Sequence, residues 1–221
     1  YTINASDLLQ GYSDVEFSSL SLTNVQVNHG AEITNNNNGT YTITPAANYN
    51  GPIQISYGVT DGTATTNATR SFTVNAVNDL PTLTSAQATL TAGTEDVAYR
   101  VNTSDLLQGF TDADGTLSIS NTISVNQGSI VKSDDGTYYT ITTPKDYNGN
   151  VQISYGVTDG IATTDATRSF TLTSVNDAPE LTGTPVTLSA GTEDFAYTIN
   201  ASDLLQGYSD VEFSSLSLTN L

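Results

Sequence analysis

The chain of 221 residues has no cysteine, methionine or tryptophan, and its 23 Asp and Glu against 5 Lys and Arg give a formal net charge of −18. So few basic side chains exclude a sequence-blind grip on a phosphate backbone. The absence of cysteine excludes disulfides, cysteine-type zinc or iron–sulfur centres and thiol nucleophiles. The single histidine, His29, excludes a multi-histidine metal centre within one copy. No apolar run approaches the roughly 18 residues of a spanning helix, and the start carries no basic, apolar leader and does not read as a natural N-terminus.

Thr, Ser, Asn, Val, Ile and Tyr dominate, whereas the good helix formers Lys, Glu, Arg and Met are scarce. Short alternating runs of apolar residues keep the chain out of the disordered class. From the first residue a repeat is visible: YTINASDLLQGYSDVEFSSLSLTN at 1–24 returns unchanged at 197–220, and YRVNTSDLLQGFTDADGTLSISN begins at Tyr99. Tyr1, Tyr99 and Tyr197 are 98 residues apart, and the same period carries ISYGVTDG (55–62, 153–160), VNDLP and VNDAP (77–81, 175–179) and AGTED (92–96, 190–194). Indels between these markers cancel, so loops vary on a fixed frame. Proline just after Asn-Asp suits an extended linker. The sequence therefore divides into residues 1–79, a repeat without its first strand; 80–177, a complete repeat; and 178–221, the opening of a third. The chain reads as a slice from a tandem array.

The complete repeat predicts seven strands in order: A near 87–92, B near 97–103, C near 116–121, D near 128–132, E near 137–142, F near 150–157 and G near 167–174. In F, Val151, Ile153, Tyr155 and Val157 share one face. The segment Ser104–Gly109 is one helical turn, with Ser104 or Asp105 as the cap. Seven short strands in about 98 residues, with turn signals between them, predict an all-β fold of tandem Greek-key β-sandwiches of immunoglobulin type.

Strand parity places the acids. The B–C, D–E and F–G turns share one pole with the incoming linker and hold Asp112, Asp114, Asp134, Asp135 and Asp159. The A–B and E–F turns share the other pole and hold Glu95, Asp96 and Asp146, beside the outgoing linker Asn176-Asp177. Crowded like charges need compensation. A hard dication, Ca²⁺, accepts the carboxylate, amide and carbonyl oxygens present. One cluster is expected at the second junction, from Glu95, Asp96, Asp146, Asn176, Asp177, Asp210 and Glu212. Against this stands the preference of Asp, Asn and Gly for turns, which is the better reading for Asp134, Asp135 and Asp105.

Together, VND-x-P, GTED, the D-x-D-G turn after SDLLQG, YNG and VTDG resemble the cadherin-like repeats of giant bacterial surface adhesins of the RTX type, over the whole chain. The resemblance implies calcium-binding β-sandwiches in an exported, extracellular array at the bacterial cell surface. It assigns ligand roles to the linker pair Asn176 and Asp177, to Glu95, to Asp112 and Asp114, and to Asp159. By the repeat, Asn78, Asp79, Asp14, Glu16, Asp61, Glu193, Asp210 and Glu212 join the candidate ligands, with Asp96 and Asp146. The first and third repeats depart from the D-x-D-G pattern: Asp14-Val15-Glu16 and Asp210-Val211-Glu212 lack the glycine. Asn48 stands where the second repeat has Asp146, and the DYNG and NYNG turns replace the family's E–F acidic motif.

The function expected is structural: an extender whose inter-repeat calcium stiffens the array and projects an adhesive domain lying outside this segment, towards a host or biofilm surface. Its partners are neighbouring repeats, with no nucleic acid and no membrane insertion. The alternative is a β-sandwich module in cell adhesion that binds a glycan or protein partner; no acid-free, aromatic-rich loop cluster supports it. An enzyme is not expected. The paired acids lie beside linkers and recur with the repeat, unlike a glycosidase pair. His29 has no counterpart in the second repeat from which to build a serine triad. Tyrosines are expected in core and cross-strand packing, and Gly58 marks a bulge or close packing in strand F.

Overall fold

The computed structural model describes residues 1–219; the last two residues assigned to the third repeat lie outside it. The chain forms two compact units, Tyr1–Asp79 and Leu80–Leu221.

In the first unit, β1 (Thr2–Asn4) leads into the short helix α1 (Ala5–Leu9), followed by β2 (Ser21–Val27), β3 (Glu32–Asn35), β4 (Thr40–Thr44), β5 (Gly51–Thr60) and β6 (Thr65–Val74). Two three-stranded antiparallel sheets result, ordered β1-β4-β3 and β2-β5-β6. Alternation decides which side chains meet between them: Ile53, Ile55, Tyr57 and Val59 of β5 are buried with Ile43 of β4 and Leu8 of α1. Gly58 faces Thr23, where β2 carries a register shift. A Cβ at Gly58 would lie 2.6 Å from Thr23 Oγ1, so glycine is required by close packing beside a bulge.

The second unit begins with β7 (Thr82–Leu83) and β8 (Gly93–Thr94), then β9 (Tyr99–Asn102), α2 (Thr103–Leu107), β10 (Phe110–Thr111), β11 (Ser118–Ile119), β12 (Ser124–Val125), β13 (Ser129–Lys132), β14 (Tyr138–Thr142), β15 (Gly149–Thr158) and β16 (Thr163–Thr173). One sheet is β13-β14-β9; the other joins β11 and β12 to β15, then β16 and β8. The buried face of β15 is the alternating set expected: Val151, Ile153, Tyr155 and Val157 are at most 3% exposed. Phe170 and Leu172 of β16, Tyr139 and Ile141 of β14, Val101 and Leu106 complete the core.

Strand A differs from expectation. Residues 87–92 make no ladder. Instead β7 pairs with β10, and β8 pairs in parallel with β16, Gly93 against Leu172 and Thr94 against Thr173. The chain crosses between two partners, and a crossing segment cannot stay in register with either. Strand C is likewise two pieces, β11 and β12, on β15. Strand G starts earlier than expected, at Thr163. The helical turn is present, but its N-cap is Asn102, whose side-chain Nδ2 donates to Asp105 Oδ2 at 2.8 Å. Neither Ser104 nor Asp105 is the cap, because the helix begins at Thr103.

Beyond Asp177 the described chain adds β17 (Glu180–Leu181), α3 (Ala201–Leu205) and β18 (Tyr208–Ser209), with β17 and β18 paired antiparallel. Among the described residues no helix is long and apolar enough to cross a membrane.

Candidate metal centre

The acids at the lower end of the 80–177 repeat are placed by the β8–β16 ladder. Glu95 follows β8 directly, and its amide donates to Thr173 O at 3.0 Å, which extends the parallel pairing by one step. Its side chain therefore turns inward and is 1% exposed. Oε1 accepts from the Val175 amide at 2.6 Å and Oε2 from Asn148 Nδ2 at 3.2 Å. A buried carboxylate with charge-compatible donors on both oxygens fixes the start of the linker.

Asp96 and Asp146 occupy turns with positive φ, 59° and 58°. Asp tolerates this region better than most side chains. Asp96 Oδ1 accepts from the Asp146 amide at 2.9 Å, which joins the A–B and E–F turns. Asp146 Oδ2 accepts from Lys145 Nζ at 3.1 Å. The linker then brings Asp177, and the B–C turn of the following repeat brings Glu212, whose Oε2 accepts from the Asp177 amide at 3.2 Å.

Two triads of carboxylates result, Glu95–Asp177–Glu212 and Asp96–Asp146–Asp177, each with one oxygen per residue within 4.8 Å of the others. Asp177 belongs to both. Asp146 Oδ1, Asp177 Oδ2 and Glu212 Oε1 are buried and accept no hydrogen bond among the described residues. Buried acceptors without partners are costly. Burial of the Asp177 carboxyl, followed by the charges of Asp146, Glu212 and Asp96, raises its pKa from the ordinary value, and Lys145 opposes the shift. The donor set is all oxygen and all anionic, which suits a hard dication and not a soft metal.

Five of the seven residues expected at this junction come together. The other two serve the local backbone: Asp210 Oδ1 accepts from the Glu212 and Ser214 amides at 3.0 and 3.2 Å, and Asn176 Nδ2 donates to Asp177 O at 2.8 Å. Asn148 was not among the candidates; its signal is the YNG motif at 49–51 and 147–149, where the asparagine sits one turn from the cluster.

At the other end of this repeat, Asp112 Oδ1 accepts from the Asp114 and Gly115 amides, both at 2.8 Å, while Oδ2 is buried without a partner. Asp159 Oδ1 accepts from the Ile161 and Ala162 amides at 2.7 Å. A Cβ on Gly115 would lie 3.8 Å from Asp159 Cβ and 3.9 Å from Asp112 Oδ1, so the B–C and F–G turns adjoin there. Asp114 is exposed. In the first unit Asp61 makes the same turn as Asp159, with amide donation from Thr63 and Ala64 holding its pKa down. Asp14 Oδ1 accepts from the Ser18 amide at 3.0 Å, and Glu16 is exposed. Asn78 donates to Asp79 O at 2.7 Å. Glu193 is exposed, its flanking segment having no ladder to turn it inward as β8 turns Glu95. Asp134 is exposed, and Asp135 is a turn former: Ser133 Oγ, Thr137 N and Thr137 Oγ1 donate to its Oδ1 at 2.6 to 3.0 Å.

Paired three-on-three sheets with a parallel first strand on the last, repeated at 98 residues with acids at the poles, define a tandem of cadherin-like β-sandwiches. The cadherin-like domain family model matches residues 1–75, 77–173 and 175–221, and the chain belongs to that family. No curated protein sequence matches it. Among solved structures it is similar to an endo-fucoidan hydrolase of glycoside hydrolase family 107, at 20% identity and a TM-score of 0.33, over 72% of this chain and 24% of that one. It is also similar to the mouse clustered PcdhgC3 EC1–3 structure, at 15% identity and a TM-score of 0.37, over 69% of this chain and 55% of that one. Zebrafish RET cadherin-like domains 1 to 4 match at 13% identity and a TM-score of 0.29, over 71% and 41%. The chain thus spans about a quarter of the length of the first of these structures.

Proposed function

We propose that this chain is an extender segment of a secreted bacterial surface adhesin of the RTX type, in which Ca²⁺ between consecutive repeats stiffens the array and holds a distal adhesive domain away from the cell. The observation that carries the reading is Asp177: a linker carboxylate shared by two acidic triads whose members come from the preceding repeat, the linker and the following repeat. The residues fit a hard dication, since three buried carboxylate oxygens there have no donor among the described residues. Bound Ca²⁺ supplies positive charge and takes about 6–8 oxygen ligands.

The chain's own residues do the positioning. Glu95 pins the linker through the Val175 amide. Asp96 pins the E–F turn through the Asp146 amide. Glu212 pins the following repeat through the Asp177 amide. Without a cation the same acids repel one another across a short linker, which favours hinge opening. The role is mechanical and not catalytic: the acids lie at the repeat's ends, where Glu95, Asp96 and Glu212 each also hold a backbone amide.

Thermal unfolding and small-angle scattering of the chain, in millimolar calcium and then in chelator, test this. Calcium at a hundredfold excess over Kd is expected to add about 2.7 kcal/mol per site, and the scattering should report a longer, stiffer particle. Asp177→Asn should lose most of both effects. Identical melting and scattering in the two conditions would overturn calcium rigidification.

A further inference from the structure

The neighbouring repeats differ in a concerted way at one place. In the 98-residue frame, Lys145, Asp146 and Glu180 of the second junction correspond to Ala47, Asn48 and Thr82. Some neighbours are kept, Tyr147-Asn148-Gly149 answering Tyr49-Asn50-Gly51 and Pro179 answering Pro81, while Thr143-Pro144 and Ala178 are replaced by Pro45-Ala46 and Leu80 without any change of charge. A cation and two acids have been exchanged together for three neutral side chains. The structure joins those three charges physically. Lys145 Nζ lies 3.1 Å from Asp146 Oδ2 and 3.6 Å from Glu180 Oε1. Asp146 belongs to the E–F turn before the linker and Glu180 to β17 after it, so the ammonium spans the repeat boundary.

The lysine also divides the two triads. It touches Asp146, a member of the Asp96–Asp146–Asp177 triad, and leaves Asp146 Oδ1 without a partner. Among the described residues the Glu95–Asp177–Glu212 triad has no lysine among its hydrogen-bond partners; its donors are the Val175 and Asp177 amides and the Asn148 side chain. Lys145 is well exposed, with 64% of its side chain in solvent, so it can swing into water when a dication takes its place on Asp146, whose side chain is only 18% exposed.

On the calcium reading given above, we propose that Lys145 is a built-in counter-cation of this junction. It competes with the dication for Asp146, which makes Asp96–Asp146–Asp177 the weaker of the two sites. When dication is scarce it links Asp146 to Glu180 across the linker. The repeat bearing Ala47 and Asn48 has neither the lysine nor the acid at these positions, so neighbouring repeats differ in charge at the same place in the frame.

Calcium titration of the whole chain by calorimetry tests this, with Lys145→Met, Lys145→Arg, Asp96→Asn and the double variant Asp96→Asn/Lys145→Met. Lys145→Met should tighten the weaker class of sites by about two- to fivefold, the scale of a partly exposed charge pair, and the tighter class by less, through the shared Asp177 alone. Lys145→Arg should behave as wild type, since it keeps the charge. Asp96→Asn should remove the weaker class, and with it the larger effect of Lys145→Met. Calcium binding that is identical in wild type and Lys145→Met, or an arginine variant that behaves like the methionine one, would overturn the lysine's role and leave the calcium reading standing. No calcium uptake by the wild-type chain would overturn both.

Discussion

The first unit and the repeat 80–177 are diverged copies of one repeat, seen here without and with its first strand. Residues 1–79 contain no counterpart of β7, β8 or the intervening segment. The consequence is read at the last strand. Phe170 and Leu172 of β16 are 4% and 2% exposed under β8, whereas their counterparts Phe72 and Val74 in β6 are only half-buried. The partner tyrosines follow suit. Tyr1 is 60% exposed, while Tyr99 is half-buried and its hydroxyl donates to Thr91 O at 2.8 Å. The Tyr–Phe stack itself survives in both, at 4.2 Å for Tyr1–Phe72 and 3.7 Å for Tyr99–Phe170. The first strand therefore does two jobs at once: it seals the open side of the core, and it delivers Glu95 to the acidic pole.

The comparison can be broken most directly at the covered phenylalanine. Phe170→Ala should cost about 3–5 kcal/mol, the range for a buried aromatic, and Phe72→Ala about half of that. Equal losses in denaturant unfolding followed by circular dichroism would show that β8 adds no packing. Glu95→Ala should come next, at about 1–3 kcal/mol even in chelator, because the Val175 amide and Asn148 lose their acceptor. Tyr155→Phe and Tyr57→Phe probe what the two share. Each hydroxyl donates to a helix carbonyl at 2.9 Å, Leu106 O and Leu8 O respectively. Matched losses of about 0.5–1.5 kcal/mol are expected from thermal melts, and unequal losses would mean that the helical turns are anchored differently.

The smallest effect is one of pH. Donation from Ser133 and Thr137 lowers the pKa of Asp135 to about 2. A depressed folded-state pKa means that the contribution is complete above the ordinary carboxylate range, near 4, and is lost as pH falls through about 2. In the first unit Asn38 Oδ1 accepts from Thr40 N and Oγ1 at 3.1 and 2.7 Å, doing the same work without a titrating group. Carbonyl NMR titration should find the low pKa at Asp135 and no pH response at Asn38.

Much of the fold was legible because it is local. The period-2 pattern of β15 names its buried face without reference to any neighbour. The polar position of Asp96, Asp146 and Asp177 followed from strand parity alone. The path of strand A was not legible, because its partner changes midway and only tertiary packing decides where. Gly109 records that decision: a Cβ there would come within 2.5 Å of Ser85 O as the segment passes. The roles of Asp210 and Asn176 were hidden for a related reason. Whether an acid caps its own turn or faces a cluster depends on one side-chain rotation, which spacing does not encode. Asn148 was missed because its partner, Glu95, lies 53 residues away.

The parallel pairing of β8 with β16 bears on how the repeat responds to tension. Pulling on the chain ahead of β7 drags β8 towards its own beginning, while pulling beyond Asp177 drags β16 towards its end. In a parallel pair these displacements are opposed along the strand axis, so the ladder bonds, the Glu95 amide on Thr173 O and the Thr173 hydroxyl on Gly93 O at 3.1 Å are strained together rather than peeled one after another. Rupture under such shearing demands a larger force than unzipping. The clamp lies behind the β7–β10 pair, which meets a load from the incoming side first.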